Sequence, residues 1–330
     1  MRLYEFIKVI YYDIQHHGHV ERLEWLVSQL FHSKNHINVT YDGNIENLSL
    51  LKKLKKPDDC LLSFSPSIPV TWCGPSQIFQ MKKSLETALQ SPDWEYFVNL
   101  SGVDIPLVSQ KSFLDKLAFE KKQNNKTSFC FGFKPNKSPY WLRQSEEFRR
   151  VEREYSRLQI VCDSEVNQEL MRGELDPIKR VMERRALYCE EIGNKRLFVR
   201  SLTEDEINYR KAFWAKHSYM VGRTWMVLHR KQVEWLAESR LFTQIFEHLQ
   251  TTFQPDETLY PSVLFSDQNP FIHELSKDNL RYGLGTPKSI TPNDLITVLN
   301  SKACFARKLH HSVSESDLGV VSQKISHKGF

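Results

Sequence analysis

Trp94-Glu95-Tyr96-Phe97-Val98-Asn99-Leu100-Ser101-Gly102-Val103-Asp104 carries the strongest strand signal in the chain. Aromatic and β-branched residues fill 94–100, and the run stops at a polar Ser-Gly turn. In open α/β sheets ligands bind at the carboxyl ends of strands, so Ser101 to Asp104 mark a candidate site. Upstream, Phe6 to Ile14 reads as a buried strand ending in the polar cluster Gln15 to His19. Val20 to Phe31 has apolar residues at helical spacing, and Ile37 to Gly43 alternates up to a turn. Strand, helix and strand at this spacing predict a parallel unit, hence the α/β class.

The rest of the chain extends that pattern. Residues 52–69 read as a loop or crossover, Val70 to Trp72 as a short strand, and Gln77 to Gln90 as a helix capped by Ser76. A helix is expected to start near Ser109 and run through Lys116 into the polar stretch Lys121 to Lys126, and a strand over Phe129 to Phe133. The charged stretch 146–192 reads as a solvent-facing helical insertion laced by ion pairs. Leu197 to Val199 and Trp225 to Leu228 read as strands, and Lys231 to Glu238 and Phe242 to Leu249 as helices. Pro255 sets a fresh turn, and Glu257 opens a short helix over Thr258 to Phe265. From Ser312 onward the chain reads as a polar tail.

Composition narrows the function. The 330 residues carry 45 Lys+Arg against 40 Asp+Glu, a net charge of only +5. The densest basic run, Lys52-Lys53-Leu54-Lys55-Lys56, reads as a solvated face, and no nucleic-acid partner is expected. No apolar run reaches the ~18 residues that a membrane span needs. The opening MRLYEFIKVIYYDIQHH has no small-residue cleavage site, so no signal peptide is expected. The six cysteines lie far apart, without a C-x-x-C pair, and read as reduced thiols in a cytosolic compartment.

Several chemistries lack their motifs. There is no P-loop, no G-x-G-x-x-G and no G-x-S-x-G. His16-His17-x-His19 has the wrong spacing for a helix-face metal site and reads as a polar loop. No Asp-x-Asp follows an apolar strand, and the adjacent Asp58-Asp59 cannot point the same way on one. What remains lies at predicted element ends: Asp42, Trp72, Asp104, Glu257 and the pair Arg307-Lys308. Singly each has an ordinary explanation: a turn residue, a core aromatic, a turn cap, a helix-start acid, surface charge. Together they suit a site for a diphosphate leaving group, with one carboxylate free to act as a base.

Five motifs carry a family resemblance: VTWCGPS (70–76), WEYFVNLSGVDIPL (94–107), GRTWMVLHRKQVEWL (222–236), QPDETLYPSVL (254–264) and ACFARKL (303–309). In this order the chain resembles the core-2/I-branching β-1,6-N-acetylglucosaminyltransferase and peptide O-xylosyltransferase family over roughly residues 5–310. The resemblance implies a GT-A-type fold in a single domain, 1–310. A Rossmann-like nucleotide half would span about 1–140 and an acceptor half about 141–310, leaving the tail at 311–330. It also implies inverting transfer from a UDP-sugar without a metal ion or other cofactor. Asp42 would bond the uracil, Trp72 would line the donor pocket, and Asp104 would lie at the sugar or acceptor side. Glu257 would be the catalytic base, while Arg307 and Lys308, with Lys288, would grip the diphosphate.

The expected donor is UDP-N-acetylglucosamine, with UDP-xylose as the alternative, and the expected acceptor is a glycan or glycolipid. A non-catalytic carbohydrate-binding protein of the same fold is the rival reading. The expected location is cytoplasmic, with peripheral contact at the inner face of the membrane allowed for. The chain departs from the family pattern at Cys73, where W-G-G is usual, at Thr40, where His is usual, and at Leu309, where Phe is usual. These positions bear on the shape of the donor pocket and hence on the sugar.

Overall fold

The computed structural model describes residues 9–16, 20–41, 53, 55–68, 70, 74–91, 93–134, 159–160, 191–192, 195–196, 199–200, 204–250, 252, 255–283 and 289–328. In chain order the first elements are β1 (Ile10–His16), α1 (Val20–Leu30), β2 (His36–Tyr41), β3 (Leu61–Pro66), α2 (Ser76–Gln90) and β4 (Tyr96–Ser101). Next come β5 (Ile105–Pro106), α3 (Gln110–Asn124) and β6 (Ser128–Phe133). Four short strands follow, β7 (Gln159–Ile160), β8 (Glu191–Ile192), β9 (Lys195–Arg196) and β10 (Val199–Arg200), pairing as β7 with β10 and β8 with β9. The remainder is α4 (Glu204–Lys216), β11 (Val221–His229), α5 (Arg230–Glu238), α6 (Arg240–Leu249), α7 (Asp256–Leu264), β12 (Leu275–Ser276), β13 (Arg281–Gly283), α8 (Leu295–Leu299), β14 (Phe305–Arg307) and α9 (Glu315–His327).

Seven strands form the main sheet in the order β12-β6-β11-β4-β1-β2-β3. β1 pairs in parallel with both β2 and β4, and β2 in parallel with β3. Only β11 runs against its neighbours, β4 and β6. This is the α/β class expected, with a mostly parallel central sheet. All of β4 is buried, because both sheet faces are covered. Tyr12, Ile14, Tyr96 and Val98 face α1 and α3, while Tyr11, Phe97 and Leu228 face α2, α5, α6 and α7. Each large apolar side chain removed from water in this way contributes about 1.5–3 kcal/mol.

A second sheet, β13-β14-β5, sits against the end of β4. β14 pairs antiparallel with β5 through Phe305–Pro106 and Ala306–Ile105, and parallel with β13 through Arg281–Phe305. Leu309 N donates to Val103 O at 2.9 Å, so the chain after β14 is tied to the turn between β4 and β5. A separate core of Ile105, Leu107, Val298, Ala306, Leu318, Val321 and Ile325 backs this sheet.

Some expectations are corrected. Residues 61–66, read as loop, form the edge strand β3; alternation there is blurred by Ser63 and Ser65, whose hydroxyls donate to Asn38 Oδ1 of β2 at 3.0 and 2.8 Å. Ser76 lies inside α2 rather than capping it. The cap position is Pro75, whose fixed φ of −63° already suits a helix and whose side chain offers no acceptor. Ser109 does cap α3, accepting from Ser112 N at 3.2 Å. Val70 is outside any strand. Within 146–192 the described residues are those of β7 and β8, which are extended rather than helical. The stretch read as a polar tail holds α9, whose Leu318, Val321 and Ile325 are buried. Its polar face dominates the composition while one apolar stripe does the packing. No helix among the described residues is long and apolar enough to cross a membrane.

Candidate active site

The carboxyl ends of β1 and β4 lie side by side, with Gln15 opposite Ser101. The approach is close. A Cβ on Gly102 would sit 2.5 Å from His16 Nδ1, so this turn has room only for glycine unless the ring moves. Gly102 N donates to Gln15 O at 2.9 Å and carries the chain into Asp104.

Asp104 is the centre of a buried charge cluster. Its side chain is 0 % exposed. Oδ1 accepts from Ser101 Oγ at 2.7 Å and from Arg307 Nη1 at 3.2 Å, and Oδ2 accepts from Ser101 N at 3.1 Å. Arg281 Nη1 lies 3.6 Å from Oδ2. One carboxylate is therefore shared between two guanidinium groups that arrive on neighbouring strands, β13 and β14.

The two arginines differ in access. The Arg281 side chain is only 4 % exposed. Its Nη2 donates to Asn99 O at 2.6 Å, and its guanidinium lies 5.3 Å from the Phe305 ring centre and 5.8 Å from that of Trp225. Burial pulls its pKa down to about 10, against the upward pull of Asp104, so it stays cationic at neutral pH. Arg307 is 31 % exposed and lies over the Trp225 ring at 3.9 Å. A cation on an aromatic face gains about 0.5–2 kcal/mol and is held flat against it.

The same stretch of β11 leads to Glu257. Thr224, next to Trp225, donates from Oγ1 to Asp256 Oδ2 at 2.6 Å, which pins the start of α7. Further along, Ser262 Oγ accepts from Met220 N at 3.0 Å and donates to Met220 O at 3.2 Å, locking α7 along β11. Glu257 thus stands, half-buried, in the first turn of α7.

Of the residues singled out from sequence, the structure joins Asp104 to Arg307 directly. Asp256, the residue before Glu257, is bonded to Thr224, which precedes the Trp225 on which Arg307 rests. Lys308 is exposed beside Arg307. Asp42, Trp72 and Lys288 lie outside the described residues. Asp104, expected at the sugar or acceptor side, has its carboxylate turned inward onto the arginines. Sequence reasoning missed Arg281 and Trp225. Trp225 reads only as the start of a strand, and Arg281 sits in a strand of three residues, too short to show periodicity. Among the described residues no group of three or more His, Cys, Asp or Glu is placed to hold a metal ion.

Fold and site together define an α/β protein with a cluster of two arginines, a buried carboxylate and a tryptophan at the carboxyl end of a central parallel strand. Residues 9–154 match the family model described as Branch, Core-2/I-Branching enzyme. The matched residues include β4 and the turn to Asp104, one of the segments on which the resemblance rests, and they make up less than half of the chain. No curated protein sequence matches the chain. Solved structures similar to it include mouse xyloside xylosyltransferase 1 in its apo form, at 9 % identity and a TM-score of 0.40, covering 90 % of this chain and 96 % of that one. Another is 4-diphosphocytidyl-2C-methyl-D-erythritol synthase from Anaerococcus prevotii DSM 20548, at 12 % identity and a TM-score of 0.27, covering 63 % and 96 %.

Proposed function

We propose that the protein transfers a sugar, N-acetylglucosamine, from a UDP-sugar to a hydroxyl of a glycan acceptor, with inversion and without a metal ion. The observation that carries this reading is Arg307, held between Asp104 and Trp225 and still partly exposed. An acceptor oxygen bonds to the anomeric carbon as the bond from that carbon to the diphosphate oxygen breaks. The electron pair leaves with UDP, and the acceptor proton passes to Glu257. Charge gathers on the departing phosphate, where Arg307 and Lys308 meet it, one as a planar fork and the other as a point charge. One such electrostatic contact in a transition state is typically worth ~3–4 kcal/mol. Asp42, Trp72 and Lys288 complete the donor pocket in this proposal.

The test is Glu257→Gln, which keeps size and hydrogen bonding and removes the proton-accepting charge. Transfer from UDP-N-acetylglucosamine and from UDP-xylose is followed in excess EDTA, beside UDP affinity by calorimetry. The variant is expected to bind UDP as before and to lose turnover by about 10²–10⁴-fold. Turnover within a few-fold of the unaltered protein would remove Glu257 as the base. A need for added Mn²⁺ would overturn the metal-independent mechanism. UDP binding without turnover in the unaltered protein, with any acceptor, would favour a carbohydrate-binding role.

A further inference from the structure

Arg307 and Asp104, taken alone, make a poor anion site. A fully buried carboxylate at 3.2 Å would cancel most of the charge that Arg307 offers to a diphosphate. Yet the carboxylate has a use. A free arginine side chain carries ~2 kcal/mol of rotamer entropy, which Asp104 and the Trp225 face remove in advance. The conflict is resolved by the second arginine. Arg281 shares Asp104, is anchored to Asn99 O at 2.6 Å, and is 4 % exposed, too buried to meet a ligand itself.

We propose that Arg281 is a positioning residue for the donor diphosphate: through Asp104 it holds Arg307 in place and leaves the three-group cluster with one net positive charge, presented at the partly exposed Arg307. This inference rests on the donor reading above. Arg281 touches no substrate, and its effect is exerted wholly through Arg307. The three groups come from β13, β14 and the turn after β4, so the cluster also ties the small sheet to the end of the main one.

The test is a double-mutant cycle read as UDP affinity by calorimetry, with thermal unfolding to verify that each variant is folded. Arg281→Met is expected to weaken UDP binding about tenfold, and Arg281→Lys, which restores the charge but not the fork, about threefold. In the Arg307→Ala background both substitutions are expected to cost less than about twofold, because the group they act through is gone. A purely structural role would cost the same in both backgrounds, and that result would overturn the proposal. So would a folded Arg281→Met protein with unchanged affinity. Should Arg281→Met not fold, Arg281→Lys carries the cycle, and failure of both to fold assigns the cluster to stability alone and also overturns the proposal. Arg307→Ala by itself separates the two ideas. Unchanged UDP affinity there removes the donor reading, whereas a loss there with an additive Arg281 cost removes only the positioning role.

Discussion

Arg307 lies half-buried on Trp225 and bonded to Asp104, while its neighbour Lys308 is exposed. Salt screens exposed charges and reaches buried ones far less. Arg307→Ala and Lys308→Ala are each expected to weaken UDP binding, the former by roughly tenfold or more at any ionic strength. The Lys308→Ala loss is expected to shrink as salt rises, which calorimetry at two salt concentrations would check. A different residue-scale expectation concerns Asp13, in the middle of β1. Its Oδ1 accepts from Thr40 Oγ1 at 2.8 Å and Asn38 Nδ2 at 3.1 Å. Burial raises its pKa above the ordinary carboxylate value, outweighing these bonds. A carboxyl whose pKa is raised by folding favours the folded state at low pH and penalises it as pH rises through the folded value. Asp13→Asn removes the desolvated charge. It is therefore expected to raise the urea midpoint at pH 8, with the advantage fading as the pH approaches 4, and a lower midpoint at pH 8 would contradict it.

At the scale of the element, β11 positions the groups that support Arg307 and the start of α7. It is the antiparallel member of the main sheet, and its register against β6 shifts between Gly222 and Met226. That irregularity turns Thr224 and Trp225 toward α7 and Arg307 rather than continuing the ladder. Gly222 permits it. A Cβ there would stand 1.9 Å from Phe131 O and 2.8 Å from Pro261 Cγ, and the first of these is backbone that cannot step aside. Gly222→Ala is expected to destabilise the fold by about 3 kcal/mol, at the upper end of ordinary overpacking. Denaturant unfolding measures it directly, and a change under about 0.5 kcal/mol would show that β6 yields where the structure holds it firm. The helices vary in how they begin. α3 and α9 start on serine caps that accept from the backbone, whereas α2 and α7 start on prolines. Serine caps are visible in sequence; Ser76 was misplaced because Pro75 already does the work of starting the helix.

For the molecule as a whole, α9 closes a third core under the small sheet. Val321 is fully buried among Leu318, Ile325, Val298 and Ala306. Trp25 of α1 donates to Ser322 Oγ at 3.0 Å, joining this core to the main one. Lys328 Nζ caps the end of α8 by donating to Leu299 O at 2.6 Å and Ser301 O at 2.8 Å. A chain ending at residue 312 loses all of these contacts, and β14 loses the layer beneath it. It is expected to melt at a clearly lower temperature and to bind UDP more weakly, since Arg307 stands on β14. Scanning calorimetry and UDP titration would check both, and unchanged values would mean that the small sheet is held by β5 and β13 alone.

Local sequence was enough for the α/β class, for β1, α1, β2, β4 and α3 within a few residues, and for marking the turn after β4 as a candidate site. These features follow from periodicity and turn chemistry, which act between residues close together in the chain. It was also enough to single out Arg307, Glu257 and Asp104, by residue type and motif. It did not show that Asp104 faces inward, that Trp225 carries Arg307, or that Arg281 shares the carboxylate. Those contacts join residues about 80 to 200 positions apart across two sheets, and no local pattern encodes them. Arg281 and Arg307 sit on strands of three residues whose partners are set by the turn after β4. Only the closing of the small sheet against the main one brings two cations to one buried carboxylate, where low polarity makes the charge balance matter.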